Sequence, residues 1–316
     1  MKYIQASSPF NRHALRLSLY YLQRLMTSPG LRALAIRLLR RGVALRTGRA
    51  AMKPDERGQL STLYADGIAA LGQLLSPQQC EDIRHYLADK PLTHRGHAAF
   101  SLAAKPADIA FANHALADLV ACPHILGLAN SPALLALAAG YLGCTPTISG
   151  LSARWSFPSG AASEVVQQFH RDSEDWLAFR VMVYLTPVDA AAGPHVYVKG
   201  THRDRRTRRL PVLEDAQVRQ RFGARIVRQT GAPGCGFAVD TAGLHKGEVP
   251  SGAARLLLSV QYSILPCFLY EYEPACLPES PFDAYVNRLI VRSQPAVVAA
   301  GDGTAEADGQ PCSGLP

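Results

Sequence analysis

The first 53 residues contain no aspartate and no glutamate, although they hold eleven lysines and arginines. The rest of the chain carries 22 basic against 25 acidic residues. The formal net charge of +8 is therefore the property of one basic appendage. This argues against a body built to grip nucleic acid. Paired cysteine motifs are missing too. Seven cysteines, an odd number, are scattered through the chain with no CxxC among them. Neither a disulfide framework nor a zinc ribbon is indicated, and a reducing, cytoplasmic compartment is the natural setting. The basic segment also lacks any run of roughly 18 uncharged apolar residues, because arginines interrupt each candidate. No compact apolar block with a small-residue cleavage site marks a secretory signal.

What the basic segment does contain is two helical patterns, "HALRLSLYYLQRL" and "LRALAIRLLRRGVALRTGRAAM", separated by Ser28-Pro29-Gly30. Ser28 stands at an N-cap position and Pro29 at the first helical one. Three readings fit. The pair is a helical extension packed on the domain with its arginines in water; or it lies on an anionic membrane with leucines toward lipid and arginines toward phosphate; or it is an organellar transit peptide.

A chain of 316 residues with 48% hydrophobic content can bury one large core or two ordinary ones. Residues 1–55 form the basic helical extension, 56–293 the main domain, and 294–316 a Gly- and Pro-rich tail expected to be disordered. Within the main domain, 60–145 reads as helical, with Ser76-Pro77 and Ser131-Pro132 as helix starts and Gly143 as a stop. From 147 to 265 the pattern changes to eight short apolar runs separated by Gly, Pro and polar turns. That number and spacing predict a barrel or a double-sheet jelly roll.

The segment "QQFHRD" places His170 and Asp172 two residues apart, so on a strand both would project from one face while Arg171 points away. A lone His-x-Asp is a weak signal. "AGLHKGEV" supplies His245, however, and two histidines with one carboxylate make the facial triad of non-haem Fe(II) oxygenases. Ten residues on stands Arg255, which returns to the same cavity if the chain turns at "PSGA" into the neighbouring antiparallel strand. A guanidinium there could clamp a carboxylate, and 2-oxoglutarate is a co-substrate with a distal carboxylate to hold.

With "FHRD", "VYLTPVDAAAGPHVYVKGTHR" and "VDTAGLHKGEVPSGAARLLLSVQY" in view, residues 150–263 resemble the phytanoyl-CoA dioxygenase-like branch of the Fe(II)/2-oxoglutarate-dependent oxygenases. The resemblance implies a mainly β fold with flanking helices around a double-stranded β-helix (jelly-roll, cupin-like) core. It also implies His170, Asp172 and His245 as metal ligands, Arg255 as the 2-oxoglutarate anchor, and Fe(II), 2-oxoglutarate and O2 as cofactors. Ala192-Gly193 and Lys199-Gly200-Thr201-His202 depart from the family's Asn-Gly and Pro-Gly-Ser-His. Asp172 favours hydroxylation over halogenation, since halogenating relatives replace that carboxylate by a small residue.

Position along the strands adds Gln168 as a co-substrate neighbour and Arg154, Trp155 and Trp176 as candidate substrate contacts. His195 and His202 read as turn or supporting residues. The arginine-rich insert from His202 to Arg209 would draw an anionic substrate if it lies near the mouth. The expected substrate is a small molecule or a lipid- or glycan-linked compound. The rivals are a non-catalytic jelly-roll binding protein and a cupin-like metal isomerase or hydrolase.

Overall fold

In the computed structural model, residues 2–4, 14–26, 28–48, 56–158, 167–172, 175–204 and 212–293 are described. The expected tail at 294–316 and Arg205, Arg206, Arg208 and Arg209 of the insert lie outside them. Among the strands after residue 146, eight occupy the eight places where short apolar runs occur: β1 (Thr147–Ser156), β2 (Phe169–His170), β3 (Ala178–Tyr184), β4 (His195–Val198), β5 (Ile226–Gln229), β6 (Cys235–Val239), β7 (His245–Gly247) and β8 (Arg255–Ser263); the two-residue strand Val212–Leu213 pairs with the outer side of β2. Their spatial order is interleaved. One sheet runs β6-β3-β8-β1 and the other β5-β4-β7-β2, with antiparallel neighbours throughout. The sheets meet face to face over Met182, Tyr184, Tyr197 and Phe237.

The longer sheet is buried on both faces, and β8 shows how. Leu256, Leu258, Val260 and Tyr262 join the main apolar cluster with the helices, whereas Arg255, Ser259 and Gln261 are buried on the alternate positions. The face turned from the helices is thus the polar one, which is where a strand can carry chemistry.

The stretch 60–145 is not wholly helical. Ile68–Gln73 adds to one edge of the longer sheet through β6, and Phe111–His114 and Leu92–Thr93 add to the other through β1. These short segments show no clear alternation; a sheet edge supplies what their own pattern does not. The helices that precede, separate and follow these segments are α1 (Ala14–Leu25), α2 (Pro29–Thr47), α3 (Glu56–Asp66), α4 (Pro77–Ala88), α5 (Leu116–Ala121), α6 (Ile125–Ala129) and α7 (Pro132–Leu142). Ser76 opens α4 with a capping box to Gln79, and Ser131 caps α7. Ser28 occupies the N-cap of α2 but makes no side-chain cap bond. The run Ile125–Leu142 is long and apolar enough to cross a membrane by composition, yet 67% of it is buried. It breaks between α6 and α7, where Asn130 exchanges amide hydrogen bonds of 3.0 and 2.7 Å with Asn287.

Three arginines fasten the basic extension to this body. Arg16 donates to the Tyr270 carbonyl, Arg40 to those of Leu142 and Tyr141, and Arg32 to those of Asp175 and Trp176 at 3.1 and 2.7 Å.

Candidate metal centre

β2 and β7 are neighbours, and their register sets His170 directly opposite His245. The imidazole centroids lie 4.3 Å apart. Each ring is aimed by its far nitrogen: His170 Nδ1 donates to the Gln168 carbonyl at 2.8 Å and His245 Nδ1 to that of Gly243 at 3.0 Å. Those bonds fix the tautomer and leave both Nε2 lone pairs pointing at one place. Gly243 is needed there, because a Cβ at that position would stand 2.0 Å from the Tyr197 hydroxyl.

Asp172 completes the set from beyond the strand. β2 ends at His170, so the carboxylate is not placed by strand alternation. It is placed by its own backbone N–H, which donates to the Thr241 carbonyl at 2.8 Å, and by Arg180, 3.4 Å from Oδ2. Arg171 turns away, donating to the carbonyls of Thr201 and Ala242. Asp172 oxygens lie 3.7 Å from His170 Nε2 and 3.9 Å from His245 Nε2. One donor atom from each of the three residues falls within 4.8 Å of the others.

The electrostatics suit a cation. Burial alone would raise the Asp172 carboxyl, but His245, Arg180 and His170 outweigh it and hold the group below its ordinary value. Burial and the neighbouring His170 push His245 down to about 4. Near neutrality the site therefore offers an anionic carboxylate and an unprotonated His245, the forms a metal binds.

Arg255 enters the cavity from the other side. It does not lie on a strand beside His245: β7 belongs to the shorter sheet and β8 to the longer one, so the chain crosses between sheets after Gly247. Arg255 pairs with Ser156 of β1 and donates to its hydroxyl at 3.1 Å. It is 5% exposed, and its Nε and Nη1 have no partner. Burial pulls its pKa down. Two unsatisfied N–H-bearing nitrogens on a buried cation are an open invitation to a carboxylate.

Between these halves stands His195 of β4, which sequence reading left as a supporting residue. Its ring lies 5.5 Å from that of His245 and 5.4 Å from Phe237 of the opposite sheet, and its Nε2 is buried without a partner. Burial, then the charges of His245 and Arg255, push it well below the ordinary histidine value. The signal was available in "GPHVYV": on a strand, His195 shares a face with Tyr197, whose neighbour in register is His245.

The remaining candidates are placed as follows. Gln168 serves through its backbone carbonyl, as described. Arg154 is built into the wall, with Nε donating to Asn113 Oδ1 at 3.0 Å and its guanidinium 4.5 Å above the Phe111 ring. Trp155, one residue on, stacks on Phe157 at 6.2 Å and packs, partly buried, among apolar residues. Trp176 lies beneath the Arg32 guanidinium at 5.4 Å. His202 is buried, its Nε2 3.1 Å from the Tyr64 carbonyl.

Asp175, just past the metal ligand, gives a pH-dependent prediction. Its carboxylate accepts from the Trp176, Ile264 and Leu265 amides, yet burial outweighs these bonds and raises it to about 7. With a folded-state value above the ordinary 3.8, the folded protein holds this proton more tightly than the unfolded chain. The resulting stabilisation is complete below the ordinary value and is lost as pH climbs to about 7. Relative to Asp175→Asn, the wild type should therefore lose stability across that window by up to about 1.4 kcal/mol per pH unit. Denaturant titrations at several pH values check this; parallel profiles would mean that Asp175 is ionised in the fold throughout.

Comparison with solved structures finds chains of similar backbone. The non-haem α-ketoglutarate-dependent carbocyclase SnoK from nogalamycin biosynthesis superimposes with a TM-score of 0.50 at 14% identity, over 67% of this chain and 87% of its own. The two share a fold. HygX from Streptomyces hygroscopicus, determined with nickel, 2-oxoglutarate and hygromycin B bound, has a TM-score of 0.49 at 16% identity over 70% of this chain and 91% of its own. EctD from S. alaskensis with bound Fe reaches 0.49 at 17% identity over 78% and 91%. No protein-family model and no curated protein sequence matches the chain.

Proposed function

We propose that the protein is a non-haem Fe(II)- and 2-oxoglutarate-dependent oxygenase whose core is a double-stranded β-helix. The observation that carries this reading is that two half-sites flank one buried histidine, His195. On one sheet and its adjoining loop, His170, Asp172 and His245 converge with both Nε2 atoms inward. On the other, Arg255 presents two unpartnered nitrogens. Two imidazoles and one carboxylate suit Fe(II) and leave three octahedral positions open, and a buried guanidinium suits the far carboxylate of 2-oxoglutarate. A metal isomerase or hydrolase would have no use for Arg255 there.

When bound, Fe(II) supplies the oxidising chemistry, coupling O2 and 2-oxoglutarate decarboxylation to attack on a substrate C–H. The chain's own task is placement. His170 and His245 are held by carbonyls on their far side, and Asp172 is kept anionic. Hydroxylation of a small-molecule, lipid or glycan-type substrate is the reaction we assign. The shared fold alone does not choose it, since SnoK is a carbocyclase. Asp172 supports it, because an intact carboxylate leaves no place for a halide. The sequence motifs favour the phytanoyl-CoA dioxygenase-like branch. Arg154, beside Asn113 and Phe111, is the cation we assign to an acidic or phosphorylated substrate group.

The test is anaerobic loading with Fe(II), followed by 2-oxoglutarate and air, with succinate measured against a metal-free control. Substrate-independent succinate formation is expected, as slow uncoupled turnover. Full metal occupancy with no succinate, with or without a substrate panel, would leave the non-catalytic binding protein as the better reading.

A further inference from the structure

Eleven large hydrophobic side chains are exposed among the described residues, and nine of them lie between Leu15 and Leu45. Scattered exposed leucines need no explanation, but this concentration does. On α1, Leu15, Leu19 and Leu22 recur at i, i+4 and i+7, facing out, while Leu17 and Tyr20 are buried. On α2, Leu31, Leu34, Leu38 and Leu45 line one outward stripe, while Arg32, Arg40 and the buried Val43 face the body. Both helices are thus apolar on two sides, and the body covers one.

The arginines divide the same way. Arg16, Arg32 and Arg40 are spent on carbonyls of the domain. Arg24, Arg37, Arg41 and Arg46 are exposed beside the leucine stripes. With no acidic residue among the first 53, nothing in this segment offsets their field. A second copy of the same cationic face would be repelled by it. A surface that is both apolar and anionic would not.

We propose that α1 and α2 dock the protein flat on an anionic phospholipid membrane, leucines among the acyl chains and Arg37, Arg41 and Arg46 at the phosphates. The docked face is joined to the candidate active site. Arg32 of α2 donates to the carbonyls of Asp175 and Trp176, a few residues beyond Asp172. Docking would therefore hold the Asp175–Trp176 segment, close in sequence to Asp172, against the membrane-bound helix. The docking surface itself stands independently of the catalytic reading.

Flotation of the full-length protein with phosphatidylcholine vesicles, with and without about a third phosphatidylglycerol, tests it. The wild type should float with the anionic vesicles and be released by salt. Two triple variants, Leu34→Ser/Leu38→Ser/Leu45→Ser and Arg37→Glu/Arg41→Glu/Arg46→Glu, should each lower the partition coefficient more than about tenfold. The substituted side chains are exposed, so melting temperatures should stay near wild type. Equal flotation with neutral vesicles, no flotation at all, or variants that bind like wild type would each overturn the proposal. So would a dimer in light scattering that the leucine variant abolishes in the absence of vesicle binding, since the face would then belong to a second copy.

Discussion

Asp172→Ala should lower affinity for Fe(II), or for Co(II) as a spectroscopic stand-in, by more than about a hundredfold and abolish succinate formation. Losing a partner outside the ligand set commonly costs 10–100-fold in metal affinity or activity, and Asp172 is the set's only anion. Its removal leaves two imidazoles as the only ligands, near Arg180 and Arg255, so the repulsion that the carboxylate offset becomes a barrier to any cation. The fold should tolerate the change, because Asp172 is partly exposed and the strand pairing of His170 with His245 does not depend on its side chain. Calorimetric metal titration of wild type and variant, with thermal melts of both apo proteins, checks the claim. Unchanged metal affinity would remove Asp172 from the centre.

Arg255→Leu should act on 2-oxoglutarate in the opposite order, leaving metal binding intact and weakening the co-substrate by about a hundredfold or more. Truncating one member of a buried charged pair costs on the order of 2–5 kcal/mol. The same substitution should stabilise the apo protein. In the absence of a carboxylate, Arg255 is a buried cation satisfied by the Ser156 hydroxyl alone, with two nitrogens unpaired, and an apolar side chain of similar reach avoids that cost. The expected signature is a variant that melts higher than wild type without 2-oxoglutarate and gains nothing on its addition. Arg255→Lys should recover part of the affinity but not the bidentate grip. Differential scanning fluorimetry on the nickel-loaded proteins, with and without 2-oxoglutarate, reads all three states. An Arg255→Leu protein whose melting temperature still rises with 2-oxoglutarate would place the anchor elsewhere.

The parts of this architecture that sequence made legible are those that depend on local pattern. The eight core strands announce themselves because apolar runs end at Gly, Pro or polar turns, and the His-x-Asp and distal His carry their spacing openly. What was illegible depends on which sheet a strand joins. Arg255 was expected beside His245 because "PSGA" looks like a hairpin turn, but the chain crosses the cavity there, a choice made by tertiary packing. For Trp155 the parity of one residue decides between the core face and the face that Ser156 shares with Arg255, and its stacking on Phe157 accords with the core reading. His195 could not be placed from "GPHVYV" alone, because its neighbours His245 and Arg255 come from distant sequence. The edge strand Ile68–Gln73 was hidden because its partner, β6, comes from distant sequence.

The brevity of β2 has a consequence for the order of events. Two residues of strand, meeting β7 at one register pair, form a rung that can part while the longer sheet stays closed. An ion held by both imidazoles is a clasp across that rung. Its free energy of binding would in part be the free energy of holding β2, and the two-residue strand Val212–Leu213 paired with its other side, against β7.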